Sequence, residues 1–241
     1  MVSRDQVTNP AVIIFTKAPI PGTVKTRLSP PLTPDEAATL HGTLILDAIE
    51  RANGLPGVTL YIAGAPDIAH PFFKVLESRY GARLLPQEGE DLGARMSGAI
   101  EKAFALGHRR VILTGTDLPT FTRLHLTQAI DRLDTYDVVL GPTIDGGYYL
   151  IGVRGTVPEL FQGMAWSTAG VLEETRKTAA AKGLSVALLS ECQDLDMVDD
   201  LTAFISLAGK DKKLSKRTSG ALKLIANRLK ERGVEKERDP F

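Results

Sequence analysis

Short apolar runs alternate with amphipathic stretches along most of this chain, and the two periods separate cleanly. Ala11 to Phe15 (AVIIF), Val58 to Ala63, Arg83 to Leu85, Val111 to Leu113, Tyr136 to Leu140, Tyr148 to Ile151 and Leu184 to Leu189 read as strands, several of them continuously apolar as buried parallel strands are. Between them lie helical periods. Thr33-Pro34-Asp35-Glu36 opens the first, with Leu40, Leu44, Ile45 and Ala48 on one face, and the turn residues of Asn53 to Gly57 end it. Pro71 to Tyr80 is closed by Gly81, and a further helix starts at Asp91 or Leu92. Thr122 caps Arg123 to Leu133, and Thr168 is the expected cap for Val171 to Lys182. Asp199 and Asp200 suit the positive end of another helix, and Leu222, Ile225 and Leu229 mark a last one. Strand and helix in alternation predict an α/β fold around a mostly parallel sheet.

In such sheets ligands bind beyond the carboxyl ends of the strands, so the loops there carry the candidate chemistry. The loop after the first strand, Thr16 to Pro34, is rich in proline and holds Lys17, Thr23, Lys25, Thr26 and Arg27. Cations match phosphate charge, Arg can hold it bidentately, and proline limits the entropy lost on ordering. The spacing is neither that of a Walker loop nor GxGxxG. After the central strand, Thr114-Gly115-Thr116-Asp117 presents a carboxylate at the sheet edge. Gly93 and Arg95 fall in the first turn of a helix whose free N–H groups suit a base or phosphate. Asp145 is a candidate base or acceptor-binding carboxylate. Gly146, Gly147 and Tyr148 offer a bare surface for a sugar or base, and Trp166 with Ser167 would close the pocket; for Trp166 the plainer reading is a core plug beneath a loop. Asp194 and Asp196 alternate, so an extended backbone puts both on one face, where they could ligate a metal. His41, His70, His108 and His125 are scattered and suggest no ligand cluster.

Composition bounds the rest. With 241 residues, 43% hydrophobic and 24% charged, the chain can bury a sizeable core. One cysteine, Cys192, excludes an internal disulfide and fits a reducing compartment. Met1 to Pro10 lacks the apolar core of a signal peptide, and no apolar run approaches a membrane span; a cytoplasmic protein is expected. The formal net charge is zero, yet residues 210–239 hold 11 Lys/Arg against 5 Asp/Glu. That predicts one α/β domain over 1–209 and a basic, partly helical extension over 210–241, solvated and without a nucleic-acid partner.

Taken together, FTKAPIPGTVKTRL, EDLGARM, LTGTDLP, GPTIDGGYYLIG, AWST and DLDMVDDL resemble the transferase-like proteins of the nucleotide-diphospho-sugar transferase superfamily, among them the radical-SAM- or selenium-domain-associated and arsenosugar-type glycosyltransferases. The resemblance runs from Ala11 to Leu207. It implies a GT-A-like, Rossmann-like three-layer sandwich with a mostly parallel, mixed sheet, and a divalent Mg²⁺ or Mn²⁺ ion holding a nucleotide diphosphate. It places Asp117 at the metal-binding turn, Asp196 as second acidic ligand, and Lys17, Gly22, Lys25 and Arg27 in the nucleotide-binding loop. Two departures stand out: Met197-Val198 replaces the family's Thr-Pro, and Gly115 stands where a DxD motif has its first Asp. KTRLSPPLTPDEAATL also resembles the guanylyltransferases that activate phospholactate-type acids. The resulting expectation is a metal-dependent glycosyltransferase with a nucleotide-sugar donor and a small acceptor. A nucleotidyltransferase using an NTP and a non-catalytic nucleotide-binding module are the alternatives, and a homodimer is compatible with each.

Overall fold

A computed structural model describes residues 9–233. Seven strands form one sheet: β1 (Ala11–Lys17), β2 (Thr59–Ala65), β3 (Arg83–Pro86), β4 (Val111–Thr114), β5 (Val138–Pro142), β6 (Tyr148–Val153) and β7 (Val186–Leu188), in the order β3-β2-β1-β4-β6-β5-β7. All pairings are parallel except those of β6, which runs antiparallel to both β4 and β5. The cause is local. Only the tight Thr143–Gly147 connection separates β5 from β6, and a short hairpin can join only antiparallel strands.

Among the described residues there are seven α-helices, α1 (Pro34–Asn53), α2 (Pro71–Tyr80), α3 (Leu92–Ala105), α4 (Arg123–Arg132), α5 (Val171–Ala181), α6 (Val198–Leu207) and α7 (Lys216–Glu231), of which α1 to α5 flank the sheet and α6 and α7 pack outside α1. Period-two alternation divides the strand side chains between two cores. Val12 and Ile14 pack with Ile45, Phe73 and Leu126 from α1, α2 and α4. Ala11 and Ile13 face the other way, with Met96 and Ile100 of α3 and Ala179 of α5. The result is a three-layer α/β sandwich. A third cluster, Leu28, Leu40, Leu195, Phe204, Leu222 and Ile225, joins the basic loop, α1, α6 and α7.

Several boundaries differ from the sequence reading. β1 and β2 each run to the C-terminal side of their apolar cores, because Thr16, Lys17, Gly64 and Ala65 continue the ladder. The proline-rich loop contains a short 3-10 turn, Thr26–Leu28, with Leu28 buried as its anchor. Thr168 does not cap α5: its hydroxyl donates to the Ala165 carbonyl, and Gly170 occupies the N-cap position. The basic segment after residue 209 folds in part as α7 and docks on α1. Among the described residues no helix is long and apolar enough to cross a membrane.

Candidate functional site

Strand direction decides where the site forms. β1 and β4 are parallel neighbours, so the loops after Lys17 and Thr114 leave the same edge of the sheet. The hairpin between β5 and β6 returns at that edge too, with Tyr148 opposite Pro142. An isolated bridge, Thr143 to Cys192, draws in the acidic segment after β7. The Leu195 amide then donates to the Asp117 carbonyl over 2.8 Å, which sets Asp196 beside the turn after β4. Four segments far apart in sequence therefore surround one cleft of about 670 Å³.

At its centre lies Lys25. The residue has a left-handed backbone (φ 50°) and a side chain only 2% exposed. Its Nζ is 2.8 Å from Asp117 Oδ1 and 3.8 Å from Asp196 Oδ1, and it donates to the Leu195 carbonyl over 2.5 Å. On the solvent side, Arg27 pairs with Asp196 Oδ2 at 2.7 Å. Burial by itself would raise the pKa of Asp117, but the Lys25 ammonium and then His41 outweigh it and hold the carboxyl well below its ordinary range. Oδ1 of Asp117 is enclosed, while the side chain as a whole stays 42% exposed toward the cleft.

Opposite this pair the cleft is acidic. Asp145 lies in the β5–β6 turn, where its Oδ1 accepts from the Gly147 amide at 3.1 Å and from the Thr143 hydroxyl. Burial, then the charges of Asp145, Asp200 and Asp196, push Asp194 up to about 6. Asp200 instead accepts from the amides of Asp196 and Met197, so it serves the start of α6, as its sequence position indicates.

Lys17, Lys25, Thr26, Arg27, Arg95, Thr116, Asp117, Asp145, Gly147, Tyr148, Ser167 and Asp196 all line the cleft. Three other sequence candidates face protein. A Cβ on Gly93 would stand 2.3 Å from the Phe161 carbonyl oxygen and 2.7 Å from the Trp166 ring. This glycine thus makes room for the indole and not for a ligand, and the Asp91 carboxylate caps the helix start by accepting from the Ala94 amide at 2.7 Å. Trp166 packs edge-on against Tyr148 (6.5 Å between centroids) and plugs the α3 side of the core. Gly146 has φ 89° and abuts the Ala169 carbonyl, so the turn itself demands it. Gly22 has φ 79° in the exposed tip of the basic loop, with open space around it.

Among the cleft residues the sequence reading passed over are His41 and Gln87. His41 of α1 has Nδ1 3.6 Å from Asp117 Oδ1 and Nε2 3.2 Å from the Lys17 carbonyl. Its helical register beside Leu40 marks it only as a buried position. Gln87 donates through Nε2 to the carbonyls of Thr16 (2.9 Å) and Ala63 (2.8 Å), tying the ends of β1 and β2 together. No spacing in the sequence signals that bond.

A mixed α/β sandwich with a cationic loop after its first strand and a carboxylate at the end of a central strand is the architecture of the nucleotidyl- and sugar-nucleotide-transferase-like folds. The chain belongs to the family described as uncharacterized proteins conserved in bacteria (DUF2064), whose model matches residues 48–168. A structure from Desulfovibrio desulfuricans G20, provisionally described as a nucleotide-diphospho-sugar transferase, matches with a TM-score of 0.84 and 31% identity over 93% of this chain and 98% of that one. The 2-phospho-L-lactate guanylyltransferase of Methanothermobacter thermautotrophicus is 29% identical over 189 residues, 75% of this chain and 78% of the relative. The fold is also shared with CMP:2-keto-3-deoxy-manno-octonic acid synthetase complexed with CTP (TM-score 0.52, 12% identity, covering 83% and 98% of the two chains).

Proposed function

We propose that this protein is a nucleotidyltransferase, joining a nucleoside triphosphate to a small anionic acceptor with release of pyrophosphate. The observation that carries the reading is the contact of the cationic loop, through Lys25 and Arg27, with the carboxylates of Asp117 and Asp196 in one cleft. Such a loop holds a triphosphate; Lys17 and Arg95 line the same cleft. Gly115 leaves a single carboxylate at the end of β4, which departs from the paired acids of sugar transferases. The guanylyltransferase relative supports the same choice.

The donor set fits a divalent cation. Its oxygens are hard, and the mutual repulsion of Asp145, Asp194 and Asp196 is what an added cation would relieve. Among the described residues no three side chains form a ready-made ion site, so donor phosphates would complete the coordination, as Mg²⁺ commonly requires. Asp117 and Asp196 would hold Mg²⁺ or Mn²⁺, which would neutralise charge on the diphosphate that leaves. Lys25 and Arg27 orient the β- and γ-phosphates. The acceptor oxygen attacks the α-phosphorus, the bond to the bridging oxygen breaks, and pyrophosphate departs with its electrons. A phosphate or carboxylate acceptor brings no proton to remove near neutral pH, so positioning and charge stabilisation supply the catalysis.

Sugar transfer from a nucleotide-diphosphate sugar is the second reading, favoured by the structural relative at 31% identity. There Asp145 would deprotonate an acceptor hydroxyl. Incubation with triphosphates and with nucleotide sugars, each with Mg²⁺ or Mn²⁺ and a panel of small acids, separates the two. Pyrophosphate release supports the first; nucleoside diphosphate release supports the second. Binding without turnover of any donor would leave only a nucleotide-binding module. Asp117→Asn should reduce turnover at least about 10²-fold, the scale of losing one preorganised charge partner.

A further inference from the structure

We infer that Lys25 is a resident cation that keeps the Asp117–Asp196 pair closed to free divalent metal until donor phosphates draw its ammonium away. The inference rests on the nucleotide-donor reading above for the opening step alone. Three observations carry it. First, Nζ lies 2.8 Å from Asp117 and 3.8 Å from Asp196, bridging the two carboxylates where a shared cation would sit. Second, the ammonium's hydrogens are engaged: the Leu195 carbonyl takes one, and the carboxylates face the others. Third, the backbone at Lys25 is left-handed (φ 50°) although the residue is not glycine, a costly conformation that persists where surrounding contacts over-determine it.

This bridge differs in kind from the outer one. Arg27 is 61% exposed and reaches Asp196 from solvent, so water and salt weaken it readily. Lys25, at 2% exposure, holds its carboxylate partner without that screening. A metal ion arriving alone must displace it and strand a buried ammonium. A triphosphate arriving first offers the ammonium new oxygens at little displacement, because Lys25 lines the cleft that the phosphates would fill. The two carboxylates are then released for the ion that accompanies the donor. Donor binding and metal binding are thereby coupled with positive sign, and the order is donor before metal.

Calorimetry with Mn²⁺ alone tests the first half on the wild-type chain, Lys25→Met and Lys25→Gln, with no nucleotide present. Both variants should bind Mn²⁺ about tenfold or more tightly than wild type, since the competing ammonium is gone. Equal or weaker binding by folded variants overturns the inference. Should neither variant fold, the wild type decides: Mn²⁺ affinity should rise about 5- to 150-fold in the presence of a non-hydrolysable triphosphate. Tight Mn²⁺ binding by wild type without nucleotide, unchanged by its addition, overturns it as well. If no nucleotide binds at all, the donor reading fails, while the nucleotide-free comparison still judges Lys25.

Discussion

Arg27 and Asp196, 169 residues apart in sequence, meet at 2.7 Å on the outer rim of the cleft. The pair is exposed, so its removal should cost the fold little. Arg27→Ala is expected to lower stability by less than about 1 kcal/mol. Its guanidinium is nonetheless a strong phosphate donor, and the same substitution should raise the donor KM about tenfold or more, the scale of a lost charged hydrogen bond. Urea denaturation beside steady-state kinetics checks both; a large stability loss with unchanged KM would assign Arg27 to the fold instead.

Much of this arrangement is legible in the chain because each piece is locally encoded. An apolar run that switches to Thr-Gly-Thr-Asp marks both β4 and the edge carboxylate, and Lys25 and Arg27 stand out by their place after the first strand. What does not show is set by tertiary packing. The insertion of β6 between β4 and β5 depends on which strands accept it, and the run Tyr148 to Ile151 is silent on that. His41 sits in a helical register that codes only for burial. Gly93 illustrates the converse: a glycine in a first helical turn suggests a ligand, yet a side chain from residue 166 fills the space.

That packing is testable. A methyl group at Gly93 would lie 2.3 Å from a backbone oxygen, which cannot swing aside, and 2.7 Å from the Trp166 ring. Gly93→Ala should therefore destabilise by about 1–3 kcal/mol through overpacking. Removing the indole relieves only part of the conflict, because the Phe161 carbonyl remains. The double variant Gly93→Ala/Trp166→Ala should lose less than the sum of the two single losses, measured by chemical denaturation. Strict additivity would mean that the two residues do not share this space.

Acid sensitivity should arise partly at the far end of the sheet. Asp137 accepts from the Ser185 hydroxyl (2.6 Å) and amide (2.8 Å) and pairs with Arg154 at 2.6 Å. The Ser185 hydroxyl is the main cause that its pKa falls to about 2. A carboxyl whose folded pKa lies below its unfolded value stabilises fully above about pH 4 and loses that contribution as the pH falls toward 2. Asp137→Asn should then be less stable than wild type at pH 7 by on the order of 1 kcal/mol, with the difference closing as the pH falls through about 2. A difference that stays constant across this range would show that the hydrogen bonds, and not the charge, hold β5 to β7.

The basic segment after residue 209 gives the strongest structural prediction. Its excess of cations suggests a solvated extension, yet its helix is anchored by a buried acid. Asp47 of α1, with a side chain 2% exposed, accepts from Arg217 at 2.7 Å, from the Thr218 hydroxyl at 2.6 Å and from the Ser215 hydroxyl, and Arg51 lies 3.7 Å away. Leu222, Ile225 and Leu229 then pack beside Leu40 and Phe204. Hydrophobic contact binds the helix, while the carboxylate fixes its register along α1. Asp47→Ala leaves two hydroxyls without their acceptor while Arg217 keeps Glu50 at 2.7 Å, and should cost about 1–3 kcal/mol. Hydrogen exchange should show α7 amides losing protection well before those of β1 and β4, since the sheet keeps its own two cores. If α7 instead stays as protected as the central strands in that variant, the apolar face alone holds it and the buried acid is dispensable.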